Sequence, residues 1–202
     1  MSTETIAVTG KVLGALLYFP PDSPQVSPLI QWLQEGAWKS EWPYLTAESA
    51  AEIEALLQQS LAEEESCEEA FQRLFVGPYA LPAPPWGSVY LDKESVLFGD
   101  STLKLREWMR QRGIEPQLAQ AEPEDHIGLM LMMASWLAEN DAQHLDAFLA
   151  EHLLPWSSRY LALLELGAIH PFYRAVARLA QTTLEGWQPL CSLAVVEQEL
   201  YR

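Results

Sequence analysis

A chain of 202 residues is long enough for one sizeable domain with a real core. With 49% hydrophobic residues it is globular rather than disordered. Its net charge of −16, from 12 basic and 28 acidic residues, argues against a phosphate backbone or an anionic membrane surface as partner. The same balance suits a cationic partner such as a basic peptide, or it simply keeps the chain soluble.

Leu, Ala, Glu and Gln dominate, Gly is sparse at 10 residues, and alternating Val/Ile/Thr runs are scarce, so helix is the expected structure. Cys67 and Cys191 stand far apart and in no CxxC motif, which suggests neither a disulfide framework nor a zinc site and fits a reducing cytoplasm. No basic segment followed by an apolar core opens the chain, so no signal peptide is visible. The longest apolar stretch, Ile127 to Ala138, is shorter than the roughly 20 residues a bilayer requires and reads as a buried core helix.

In chain order, Glu4 to Phe19 carries Val8, Val12, Leu16 and Phe19 at helical spacing and is stopped by Pro20-Pro21. A second helix is expected from about Pro24 to Glu35. Trp32, Trp38 and Trp42 then pin a loop onto the core. A third helix is expected near Glu48 to Leu61. The acidic run Glu63 to Glu69 leads into a helix that places Phe71 and Phe75 on one face. From Gly77 to Tyr90 the chain reads GPYALPAPPWGSVY, whose four prolines forbid a regular helix. Its aromatic and apolar content speaks for an ordered loop lying on the surface.

Helices resume over Ser101 to Arg112, Pro123 to Glu139, about Ala142 to Leu154, Ser157 to Leu166 and Pro171 to Trp187, with Pro123 and Pro171 in first turns. Ser157-Ser158 reads as a helix cap. The tail from Leu193 to Val196 suits either a short strand or an extended strap. The expectation is an all-α, single-domain helical bundle over residues 1–202 with a long Pro- and aromatic-rich loop.

Two constellations invite a functional reading. Glu122-Pro123-Glu124-Asp125-His126 opens the most apolar helix, where acidic residues complement the helix dipole. The same carboxylates suit a guanidinium, with which they form bidentate bonds. Phe71, Leu74, Phe75, Tyr79, Trp86 and Tyr90 come from one helix and the adjoining loop, and either fill the core or form a binding patch. A hydrolase using Asp125 and His126 is the competing enzymatic reading, and a scaffold whose aromatics are all core is a third. No HExxH, GxSxG or GxxxxGK[ST] motif is present, and nothing calls for a metal or a cofactor.

Ala70 to Pro78 (AFQRLFVGP), Pro84 to Tyr90 (PPWGSVY) and Glu94 to Ser101 (ESVLFGDS) closely resemble the DmsD branch of the TorD/DmsD/NarJ family. Glu122 to His126 resembles that family's E-P-x-D-H motif, and the likeness continues through His170 to Arg174. The resemblance implies an all-helical, non-enzymatic cytoplasmic chaperone of molybdoenzyme maturation. Such a protein binds the twin-arginine leader of a catalytic subunit, here that of a dimethyl sulfoxide reductase, and holds back export until the cofactor is loaded. The twin-arginine translocase is a further candidate partner. By the same resemblance the leader-binding residues include Phe71, Leu74, Phe75, Tyr79, Tyr90, Gly99, Pro123, Asp125 and His126, and Trp86 joins them from the aromatic patch. Phe71, Tyr79 and Tyr90 stand where close relatives often carry Trp, so ring character survives without the indole N–H.

Overall fold

A computed structural model describes residues 3–202, among which there are helices and turns but no β-strand. The helix α1 (Thr3–Tyr18) lies along α8 (Ile127–Asn140), and glycines set how closely the two approach. A Cβ on Gly14 would sit 2.8 Å from the Gly128 carbonyl oxygen, and one on Gly10 2.8 Å from that of Leu131. Backbone meets backbone there, so no side-chain rotation makes room. This contact fixes which face of α1 is buried. Leu13, Leu16 and Leu17 enter the core, whereas Val8, expected on the buried face, is exposed.

A further neighbour of α1 is α11 (Pro171–Trp187), which also packs against α4 (Ala47–Ser60) and α10 (Leu154–Ala168). Two indoles tie the layers together. Trp187 Nε1 donates to Thr9 Oγ1 at 3.2 Å, and Trp42 Nε1 to Thr183 Oγ1 at 3.0 Å. These two N–H groups thus find acceptors and lose little by leaving water, whereas Trp38 Nε1 is buried without one. Trp38 is fully buried on the short α3 (Trp38–Glu41), and Trp32 and Trp42 pack at a tilt with ring centroids 6.3 Å apart, so the tryptophans do pin this segment.

Several boundaries differ from expectation for local reasons. α2 (Ser27–Glu35) starts at Ser27, because Val26 and Ser27 close a turn back to the Ser23 carbonyl. α5 (Cys67–Phe71) opens with a reciprocal Ser66–Glu69 capping box and widens into a π turn over Gln72–Val76. α9 (Leu145–Phe148) continues through another π turn, Leu149–Leu153, straight into α10. Pro155 therefore sits in the first turn of α10, and Ser157, expected as a cap, is buried inside that helix. The tail beyond Cys191 is an extended strap: Val196 N–H donates to the Ala150 carbonyl at 2.9 Å and Tyr201 N–H to that of Tyr90 at 2.8 Å.

Candidate functional site

The Pro-rich segment is only partly the surface loop its composition suggests. Pro78, Tyr79 and Ala80 are exposed, but Ala83, Pro85 and everything from Gly87 to Tyr90 are buried. Gly87–Leu91 folds into a helical turn, α6. The cause is Asp125: its Oδ2 accepts the Ser88 N–H at 2.7 Å and the Thr102 hydroxyl at 2.9 Å. One carboxylate thus holds the start of α6 and the first turn of α7 (Asp100–Arg110). Its carbonyl accepts the Gly87 N–H, and Ile127 N–H donates to the Pro85 carbonyl at 2.7 Å. The chain before α8 is stitched to the Pro-rich segment residue by residue.

Pro123, expected in the first turn of α8, lies ahead of it. The N-cap is His126, whose Nδ1 accepts the Gly128 N–H at 3.0 Å. Its remaining proton therefore sits on Nε2. His170 caps α11 in the same way through the Phe172 N–H. The His126 ring lies edge-on between Tyr18 and Trp86, at 5.1 and 6.0 Å. Burial pulls its pKa down to about 3. The same desolvation raises that of Asp125, against its hydrogen bonds from Ser88 and Thr102. An imidazole so weakly basic and already capping a helix is unsuited to general-base work at neutral pH, and this speaks against the hydrolase reading.

The structure divides the ten expected site residues into two groups. Trp86, Tyr90, Gly99, Pro123, Asp125 and His126 belong to the junction of α6, α7 and α8. Within it Trp86 Nε1 donates to Glu122, and a Cβ on Gly99 would collide with the Asp92 carboxylate. Phe71, Leu74, Phe75 and Tyr79 belong to α5 and the turn after it. Most of these side chains are inside: Phe71, Leu74, Phe75, Tyr90, Asp125 and His126 are all buried. Phe71 stacks on Phe75 with centroids 4.9 Å apart, and both meet Tyr173; Tyr90 stacks on Trp156 at 5.5 Å. Tyr79 is the exception, at 86% exposed.

Clefts open to a ligand among the described residues include the following three. One, about 590 Å³ and mainly apolar, runs between the end of α1 and α8 and is lined by Phe19, Met109, Ile114, Met132, Met133 and Trp136. A second, about 350 Å³, is lined by Asp92, Ser101, Lys104, Asp125, His152 and Trp156. A third, about 710 Å³, joins Tyr79 and Pro78 to Glu68, Glu69 and Ile169. Glu68, Glu69 and Ile169 are absent from the sequence-based site. The acidic run immediately ahead of Phe71 was a readable signal for the first two; for Ile169 there was none. Among the described residues no group of three or more His, Cys, Asp or Glu side chains is placed to hold a metal ion, and no helix is long and apolar enough to cross a membrane.

The sequence model of the family described as the nitrate reductase delta subunit matches residues 40–162. The chain belongs to this family. Within it, the Tat proofreading chaperone DmsD of Salmonella typhimurium is 51% identical over 203 residues, spanning 100% of this chain and 98% of the relative. The chaperone protein YcdY of Escherichia coli is 30% identical over 185 residues, 89% of this chain and 92% of that one. Among solved structures, an Archaeoglobus fulgidus protein assigned to redox enzyme maturation superposes with a TM-score of 0.55 at 21% identity, covering 87% of this chain and 93% of the other. That likeness supports the all-α fold of the family.

Proposed function

We propose that this chain is a chaperone, not an enzyme, that binds the twin-arginine leader of a redox enzyme in the cytoplasm. The observation that carries the reading is end-to-end identity of 51% with a Tat proofreading chaperone. We further propose that the client is the catalytic subunit of a dimethyl sulfoxide reductase and that binding delays export until the cofactor is loaded. The translocase itself is a second partner under this proposal. Nucleic acid and stable membrane insertion have no place in it, given the charge of −16.

The third cleft has the chemistry a twin-arginine leader requires, because such a leader carries a basic segment and then a moderately apolar one. Glu68 and Glu69 meet the first and Tyr79 the second. Under this proposal Phe71, Leu74 and Phe75 are the packed floor that positions the Tyr79 turn. Trp86, Tyr90, Gly99, Pro123, Asp125 and His126 act by holding the α6–α7–α8 junction in shape.

Calorimetric titration of a synthetic leader peptide tests the reading. Tyr79→Ala should weaken binding about tenfold, in line with an exposed aromatic anchor, while its melting temperature stays within about 1–2 °C of the wild type. Added salt should weaken the native leader modestly. A leader whose apolar segment is replaced by Ser and Gly should bind poorly at low salt and lose the remainder steeply as salt rises. Equal affinity of the two leaders for the wild-type chain would leave the apolar half of the cleft without a role.

A further inference from the structure

Ile169 has a backbone conformation that β-branched residues avoid. Its φ of 61° and ψ of −53° form a γ-turn of the rarer, positive-φ hand, closed by the His170 N–H donating to the Ala168 carbonyl at 2.6 Å. A glycine is the ordinary occupant of such a position after a helix. Isoleucine gains nothing in packing there, since its side chain is 75% exposed. The turn persists because its surroundings leave it no alternative. Arg73 Nη2 donates to the Ala168 carbonyl at 2.8 Å while Glu65 grips the same guanidinium with both oxygens at 2.8 Å. His170 adds Nε2–H to the Glu65 carbonyl at 3.0 Å and caps α11 with Nδ1.

This scaffold places Ile169 in the lining of the third cleft together with Tyr79. Leu166, 81% exposed on the last turn of α10, directly precedes Gly167, which lines the cleft and lets Pro82 sit directly on that turn. Glu68 and Glu69 line the same cleft, and neither is ion-paired among the described residues. From this arrangement we infer that the α10–α11 turn is a docking element: Ile169 and Leu166 grip the apolar segment of a cationic peptide whose basic residues lie against Glu68 and Glu69. The inference rests on the peptide-binding reading above and names the second wall of its site. Charge selects the occupant. A second copy of this chain carries the same −16 and would bring acidic rim to acidic rim, whereas a basic, apolar peptide complements both halves of the cleft.

Three proteins in full-length form decide the matter: wild type, Ile169→Gly and Leu166→Gln. Each is titrated with a synthetic twin-arginine leader peptide by calorimetry, melted, and run in a sedimentation experiment. Ile169→Gly should bind the leader about tenfold more weakly yet melt at the same temperature or higher, because glycine accepts the γ-turn without strain. Leu166→Gln should weaken binding several-fold with an unchanged melting temperature, since it alters an exposed helical position. A wild type that fails to bind the leader overturns this inference together with the function it rests on. A wild type that binds, with both variants binding equally well, overturns this inference alone. Wild-type self-association that Ile169→Gly abolishes while leader affinity stays intact overturns it too, assigning the patch to a second copy.

Discussion

Asp125→Ala should lower stability by about 2–4 kcal/mol, the range for removing one partner from a buried, charge-assisted network. Oδ2 of Asp125 is the shared acceptor for the Ser88 N–H and the Thr102 hydroxyl, and both donors are fully buried. Alanine leaves those two groups without their shared acceptor. It also frees the first turns of α6 and α7 from each other. Asp125→Asn retains one oxygen of the right shape and should cost much less. Urea unfolding of the three proteins measures both steps. If the alanine variant unfolds at the wild-type urea concentration, the carboxylate does not hold the junction. Weakened leader binding by Asp125→Ala would then follow from a loosened junction, and Asp125→Asn should restore most of it.

The second large effect is acid lability well above the usual carboxylate range. His126 is brought down to about 3 by burial, and His152 to about 4 by burial with a contribution from Arg112. Between these values and the ordinary histidine value near 6.5 the unfolded chain binds two protons that the folded chain refuses. Stability therefore rises with pH across that window and is fully present only above about pH 6.5. At pH 5 each histidine should have removed about 2 kcal/mol. Glu122 and Asp125, whose own pKa values are raised, take up protons early and soften the decline at lower pH. Melting temperature measured from pH 7.5 to 5 should fall steadily. The slope should be roughly halved in His152→Gln, and a wild-type profile flat over that range would contradict the neutral, buried state of both rings.

Elements whose signals are local were legible from residue order. The apolar run after His126 is α8, and the stretch opened by Pro171 is α11 to the residue. What escaped depends on partners distant in the chain. Nothing near Val8 indicates that Gly10 and Gly14 would turn α1 so as to expose it, because the deciding atoms are the carbonyls of Gly128 and Leu131. Proline content marks Gly77 to Tyr90 as irregular, but only the Asp125 carboxylate, 37 residues beyond Ser88, makes its second half helical and buried. Histidine is an uncommon cap, which is why Pro123 looked like the better helix start. Within the site, Tyr79 could be read as exposed from its prolines. Phe71 and Phe75 could be placed on one face, yet whether that face met solvent or Tyr173 was open until the packing was known.

The pairing of α1 with α8 and α11 also governs when this protein can finish folding. As the chain emerges from the ribosome, α1 comes first, carrying Leu13, Leu16 and Leu17 on its core-facing side. Its main neighbour does not exist until residue 140 has been made, and the Thr9–Trp187 hydrogen bond must wait for 178 further residues. At about 5–20 residues per second, the apolar face of α1 spends on the order of ten seconds without its native cover. This chain thus passes through an aggregation-prone interval of its own during synthesis.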